Sequence, residues 1–120
     1  MENIIDTHFH IWDLELRSTF NWTDGSFDWP DKSLPIIHRN ILADEAASEL
    51  KTSKVDGAIF VQCLNSCPQE IKWVDELSKS FPVIKGIVGG LDLTQVIQVR
   101  GRTNISKRSF FLKFCQNWLE

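Results

Sequence analysis

Val55-Asp56-Gly57-Ala58-Ile59-Phe60-Val61-Gln62 is a nearly continuous apolar, β-branched run without polar alternation. Alternation marks a strand with one wet face, whereas an unbroken run marks a strand covered on both faces, as in parallel sheets. Parallel strands must be joined by long crossovers, usually helical, so this reading requires a helix on each side of the run.

Both flanks supply one. Upstream, over residues 41–54, Leu42, Ala43, Ala46, Ala47 and Leu50 recur at helical spacing. Asp44, Glu45 and Glu49 come early and Lys51 and Lys54 late, matching the helix dipole. Downstream, Ser66-Cys67-Pro68-Gln69 fits a capping box with proline in the first turn, and Ile71, Val74 and Leu77 continue the stripe. A third apolar run, residues 83–88, ends at Gly89-Gly90-Leu91-Asp92-Leu93, and residues 3–8 read as a buried strand leading into His8-Phe9-His10. Strand, helix, strand, helix, strand is the pattern of a parallel α/β sheet, whose functional residues collect at the carboxyl ends of the strands. Those ends carry His8 and His10, Gln62, and Asp92.

Composition narrows the function classes. The 120 residues are 42% hydrophobic and 24% charged, enough for one ordinary domain with a core, and the net charge of −3 gives no reason to expect nucleic acid or an anionic membrane as partner. No apolar segment approaches the roughly 18 residues of a membrane span. The odd cysteine count (Cys63, Cys67, Cys115) fits no disulfide framework, and the start lacks a signal-peptide pattern, so a cytoplasmic setting is expected. Charge is uneven: residues 1–94 hold 8 basic and 15 acidic side chains, residues 95–120 hold 5 and 1. The tail basics, Arg100, Arg102, Lys107, Arg108 and Lys113, read as a solvated face.

On a strand, residues two apart project together, so His8 and His10 point the same way and offer two neutral imidazoles, common ligands of divalent ions. Two ligands do not complete a catalytic site, which takes about three from the protein. Asp6 shares their face if the strand is regular; it either orients an imidazole or bonds nearby backbone. Gln62 either binds a ligand carbonyl or carboxylate or satisfies loop backbone, and Asp92 either binds a hydroxyl or turns the chain. His38 reads as a surface residue, Cys63 and Cys67 as buried filler. Residues 12–34 form a long loop with Trp12, Phe20, Trp22, Phe27 and Trp29, either a lid over a pocket or a set of core anchors. Nucleophile-elbow and phosphate-loop signatures are absent from the sequence.

"IIDTHFHIWD" at 4–13, "DGAIFVQ" at 56–62, "QEIKWVDELS" at 69–78 and "IKGIVGGLDL" at 84–93, in this order and spacing, resemble the amidohydrolase-related family, amidohydrolase 2 type, in its lactonase-like branch. The resemblance covers residues 3–94. It implies a TIM (β/α)8 barrel of the metal-dependent hydrolase superfamily, acting on a small lactone or related carboxylic ester. It also implies catalytic and metal-binding roles for His8 and His10, and substrate contacts from Trp12, Gln62 and Asp92. The cofactor implied is one divalent metal, zinc or manganese, or none, since some lactonases of this type work without metal.

The family's further histidines and its water-activating Asp lie on later strands; nothing here matches them, His38 does not fit, and Gly90 stands where many relatives carry an aromatic. A complete barrel takes about 250 residues. The expectation is therefore a truncated, amino-terminal portion of the barrel, about three βα units in residues 1–94, with a divergent tail at 95–120. On its own it would be either an incomplete enzyme or an inactive fragment that binds a full-length relative through its open sheet.

Overall fold

The computed structural model describes residues 3–19, 29–65 and 67–90. The tail at 95–120, Asp92 and Cys115 lie outside them. The run at the centre of the argument forms β2, Gly57–Val61, flanked in chain order by β1 (Ile5–Phe9), α1 (Leu14–Thr19), α2 (Ala43–Thr52), α3 (Pro68–Ser80) and β3 (Ile84–Val88). The three strands make one parallel sheet in the order β1-β2-β3, so β2 is central, as its composition demands, and β1 and β3 are the two edges among the described residues.

Burial follows the pleat. Phe60, fully buried, and Ile87 are in register on adjacent strands and pack with Ile84 against Ala43 and Ala46 of α2 and Ile71 and Val74 of α3. Ile59 and Val61, one residue out of phase, occupy the opposite face and are half-buried. At Gly57 a Cβ would fall 2.6 Å from Cγ of Lys85 and 3.1 Å from Cδ1 of Ile5; here only glycine admits the Lys85 stem, which crosses from the neighbouring strand.

Several details differ from the sequence reading, each for a local reason. β1 is mostly exposed: Ile4 and Ile5 show 54% and 40% of their surface, because Phe9 is the residue of this strand that packs against the buried core. Its register with β2 slips by one residue between Asp6 and Phe9, so Asp6 aligns with Ala58 and Phe9 with Phe60. Such a slip reverses facing, and Asp6 does not stay in phase with the histidines.

The helix expected to end at Lys54 ends at Thr52. Its last carbonyls are closed by Lys54 N–H to Lys51 O and Val55 N–H to Leu50 O (2.8 Å), with Lys54 at φ 57°. This is the Schellman pattern with lysine in the left-handed position usually held by glycine. At α3 the capping residue is Cys67, with Pro68 starting the helix and no side-chain cap from Cys67 itself; Asn65 Oδ1 accepts from the Cys67 N–H at 2.9 Å instead. The loop expected over residues 12–34 contains the short helix α1, which begins where Asp13 Oδ1 accepts from Leu16 N–H. No described helix is long and apolar enough to cross a membrane.

Candidate functional site

The site is built at the carboxyl end of β1. His8 lies inside the strand and His10 just past it; their rings meet edge to face with centroids 4.9 Å apart and planes at 89°, so the two imidazoles share one side of the chain. His8 is exposed and His10 half-buried.

His10 is anchored from the adjacent strand: its Nδ1 lies 2.7 Å from the carbonyl oxygen of Val61, the last residue of β2. A carbonyl can only accept, so Nδ1 must carry the proton, and in the neutral ring Nε2 is left with the lone pair. Fixing a ligand imidazole through its far nitrogen is the usual arrangement around bound metal ions. The ring spacing agrees. Two imidazoles on one zinc, each at about 2.0–2.1 Å through nitrogen and near the tetrahedral angle, hold their centres about 5 Å apart. His8 and His10 therefore suit a divalent ion as two of its ligands. Among the described residues no third His, Cys, Asp or Glu joins them.

The carboxylate of Asp6 does not reach either ring. Its Oδ1 accepts from the His8 backbone N–H at 2.9 Å, which holds the irregular stretch of β1 in shape. Gln62 sits behind the strand ends, buried: its Nε2 donates to Cys67 O at 3.0 Å and, longer, to Glu70 at 3.4 Å, while its Oε1 accepts from the Gly90 N–H at 3.0 Å. One side chain thus ties the end of β2 to the start of α3 and the end of β3. Trp12 is also buried. Its Nε1 donates to Arg39 O at 2.8 Å, its backbone bridges to Ile41, and its ring lies against Trp29 at 5.3 Å and beside His10 at 6.5 Å. Of the loop aromatics, Trp12 and Trp29 are anchors in the protein body; Phe20, Trp22 and Phe27 lie outside the described residues.

Sequence reasoning passed over two residues of this region. Arg17 and Glu70, 4% and 0% exposed, form a bidentate ion pair at 2.6 and 2.9 Å. Two further N–H groups of Arg17 go to Trp29 O at 2.7 Å and Cys63 O at 3.4 Å. One signal was available for Glu70, which falls on the apolar stripe of α3 four residues before Val74. His38, half-buried, ends a turn in which its N–H donates to Leu34 O.

No family model and no curated protein matches the sequence. A solved structure does: the crystal structure of an amidohydrolase from Burkholderia multivorans with bound zinc superposes with a TM-score of 0.67 at 20% identity. The likeness is to part of that protein's fold. The match covers 94% of this chain and 36% of the other, so this chain spans about a third of that protein's length. At this identity the likeness carries the fold and not the chemistry. The parallel α/β fold expected from the four motifs is thereby supported in part, as three parallel strands in one sheet that match a portion of that structure.

Proposed function

We propose that these βα units form the opening part of a hydrolase barrel in which His8 and His10 hold one divalent ion, zinc or manganese, and that the substrate is a small lactone or related carboxylic ester. The observation that carries the reading is the imidazole pair itself: two rings on one side of β1, 4.9 Å apart, one of them fixed by the Val61 carbonyl with its Nε2 left for coordination. The chemistry such an ion supplies when bound is polarisation of a carbonyl and acidification of water.

This chain's own residues do the positioning. Val61 O sets the tautomer of His10, Gln62 fixes the three segments beneath the mouth, and Trp12 forms a wall beside His10. Asp92, outside the described residues, is assigned to a substrate hydroxyl. The remaining ligands and the water-activating base belong to strands beyond β3.

The test is hydrolysis of a lactone panel by the full chain with added zinc or manganese, alone and with a longer relative. Turnover above that of the His8→Ala/His10→Ala variant supports the proposal, and equal rates under both conditions sink it.

A second reading rests on the open sheet. Among the described residues β1 is an edge strand with Ile5 40% exposed, and an unpaired edge is a template for another chain. In this reading the protein associates with a full-length relative and has no activity of its own. Analytical ultracentrifugation decides it: a monomer that stays monomeric beside such a relative contradicts it.

A further inference from the structure

The Arg17–Glu70 pair is buried, bidentate and far apart in sequence, and the proposed chemistry does not use it. A buried pair of this kind adds little net stability over apolar residues of the same volume, so its connections deserve an account. The guanidinium spends one edge on both oxygens of Glu70, at 2.6 and 2.9 Å, and two further N–H groups on the carbonyls of Trp29, at 2.7 Å, and Cys63, at 3.4 Å. Only a planar fork with five donors can hold a carboxylate and two carbonyls at once.

Two arms run from this clamp to one imidazole. Along the first, Trp29, held by its carbonyl, sets its ring against Trp12 at 5.3 Å, and Trp12 stands beside His10 at 6.5 Å. Along the second, Glu70 accepts from Gln62 Nε2, and Gln62 follows Val61, whose carbonyl holds His10 Nδ1. The clamp thus fixes the aromatic wall on one side of His10 and the strand end on the other.

The geometry points to Arg17 and Glu70 as positioning residues of the imidazole site, ordering the Trp29–Trp12 wall and through it the ring of His10. The inference rests on reading His8 and His10 as the site, but its test requires neither metal nor turnover.

The full chain is labelled with 5-fluorotryptophan, and the indole fluorine signals and histidine ring signals are recorded at one fixed pH in the wild type and in Arg17→Met/Glu70→Leu. Apolar replacement of both partners removes the clamp while keeping the volume. The expected result is an unchanged far-UV circular dichroism spectrum, displaced signals of Trp12, Trp29 and His10, and an unmoved His38 signal. Unmoved Trp29 and His10 signals in a folded variant overturn the proposal. If the double variant does not fold, Arg17→Lys takes its place. Lysine keeps the charge but replaces the planar five-donor fork by one ammonium nitrogen with three donors, too few to keep both bonds to Glu70 and those to both carbonyls, so displacement of the same signals supports the clamp and their constancy overturns it. Absence of hydrolysis by the wild type bears on the proposed function alone and leaves these signals as they are.

Discussion

Replacing Glu70 by Gln removes one charge and almost no volume, at a position with no exposed surface. The variant amide can accept one hydrogen bond from Arg17, but its NH2 group then faces a guanidinium N–H, donor against donor. Arg17, 4% exposed, would keep the carbonyls of Trp29 and Cys63 and lose its counter-charge. Leaving one member of a buried pair uncompensated costs about 3–5 kcal/mol, a large share of the roughly 5–15 kcal/mol that holds an ordinary domain together. At about 4–8 °C per kcal/mol for a domain of this size, the midpoint falls by at least about 12 °C. By contrast, Arg17→Met/Glu70→Leu should stay within about 2 kcal/mol of the wild type or exceed it, since removing both charges leaves nothing unpaired. Arg17→Met and Glu70→Leu made singly each leave one buried charge unpaired, so their two losses should sum to far more than that of the double variant, the signature of direct coupling. Urea unfolding followed by tryptophan fluorescence and far-UV circular dichroism measures all five proteins, with coincidence of the two probes as the check on two-state behaviour. A Glu70→Gln variant within about 1 kcal/mol of the wild type would refute the reasoning, because no buried charge left without its partner is that cheap.

Three further outcomes follow from other parts of the fold. Lys54→Gly should raise the urea midpoint by the equivalent of about 0.5–1 kcal/mol, since Lys54 holds φ 57° at the end of α2 where glycine carries no Cβ penalty; a lowered midpoint contradicts this. Phe60→Ala should cost about 3–5 kcal/mol in the same assay, because its ring is fully buried between Phe9 and the two packed helices and the cavity cannot collapse. Arg39 holds the carboxyl of Glu45 below its ordinary value of 4.5, chiefly by hydrogen bonding. The folded value lies below the unfolded one, so the contribution is present above about pH 4.5 and lost as pH falls through the folded value. The stability difference between the wild type and Arg39→Met should therefore shrink in acid and in high salt; a difference that grows on acidification contradicts the assignment.

The legible parts of this fold are those where burial imposes a period. The run around Phe60 is apolar throughout because Ala58 and Phe60 are buried on one face of β2 and Ile59 and Val61 are half-buried on the other, and Ile71 and Val74 repeat at helical spacing because α3 buries one stripe. The closeness of the His8 and His10 rings follows from their spacing of two residues and not from burial, since His8 is exposed. What escaped the sequence obeys no period. The slip between Asp6 and Phe9 is a backbone irregularity that changes which residues face together, and no residue type announces it. Nothing near Arg17 in the sequence marks it as buried, and Glu70 shows only its phase on the α3 stripe, since their burial depends on meeting across 53 residues. Ser66, where a capping box was expected to begin, lies outside the described residues, and Asn65 supplies a bond to Cys67 N–H. Gln62, left between two readings, spends its amide on Cys67, Glu70 and Gly90.

The central claim is that His8 and His10 act as one two-toothed ligand, with His10 presented through Nε2. Long-range proton–nitrogen NMR of the imidazoles at about pH 8, where an ordinary histidine is neutral, followed by titration with zinc, tests it directly. The expected result is a proton on Nδ1 of His10 before zinc is added, then displacement of the His8 and His10 signals together with one half-saturation point while His38 stays in place. A proton on Nε2 of His10, or a response from one of the two rings without the other, would contradict it.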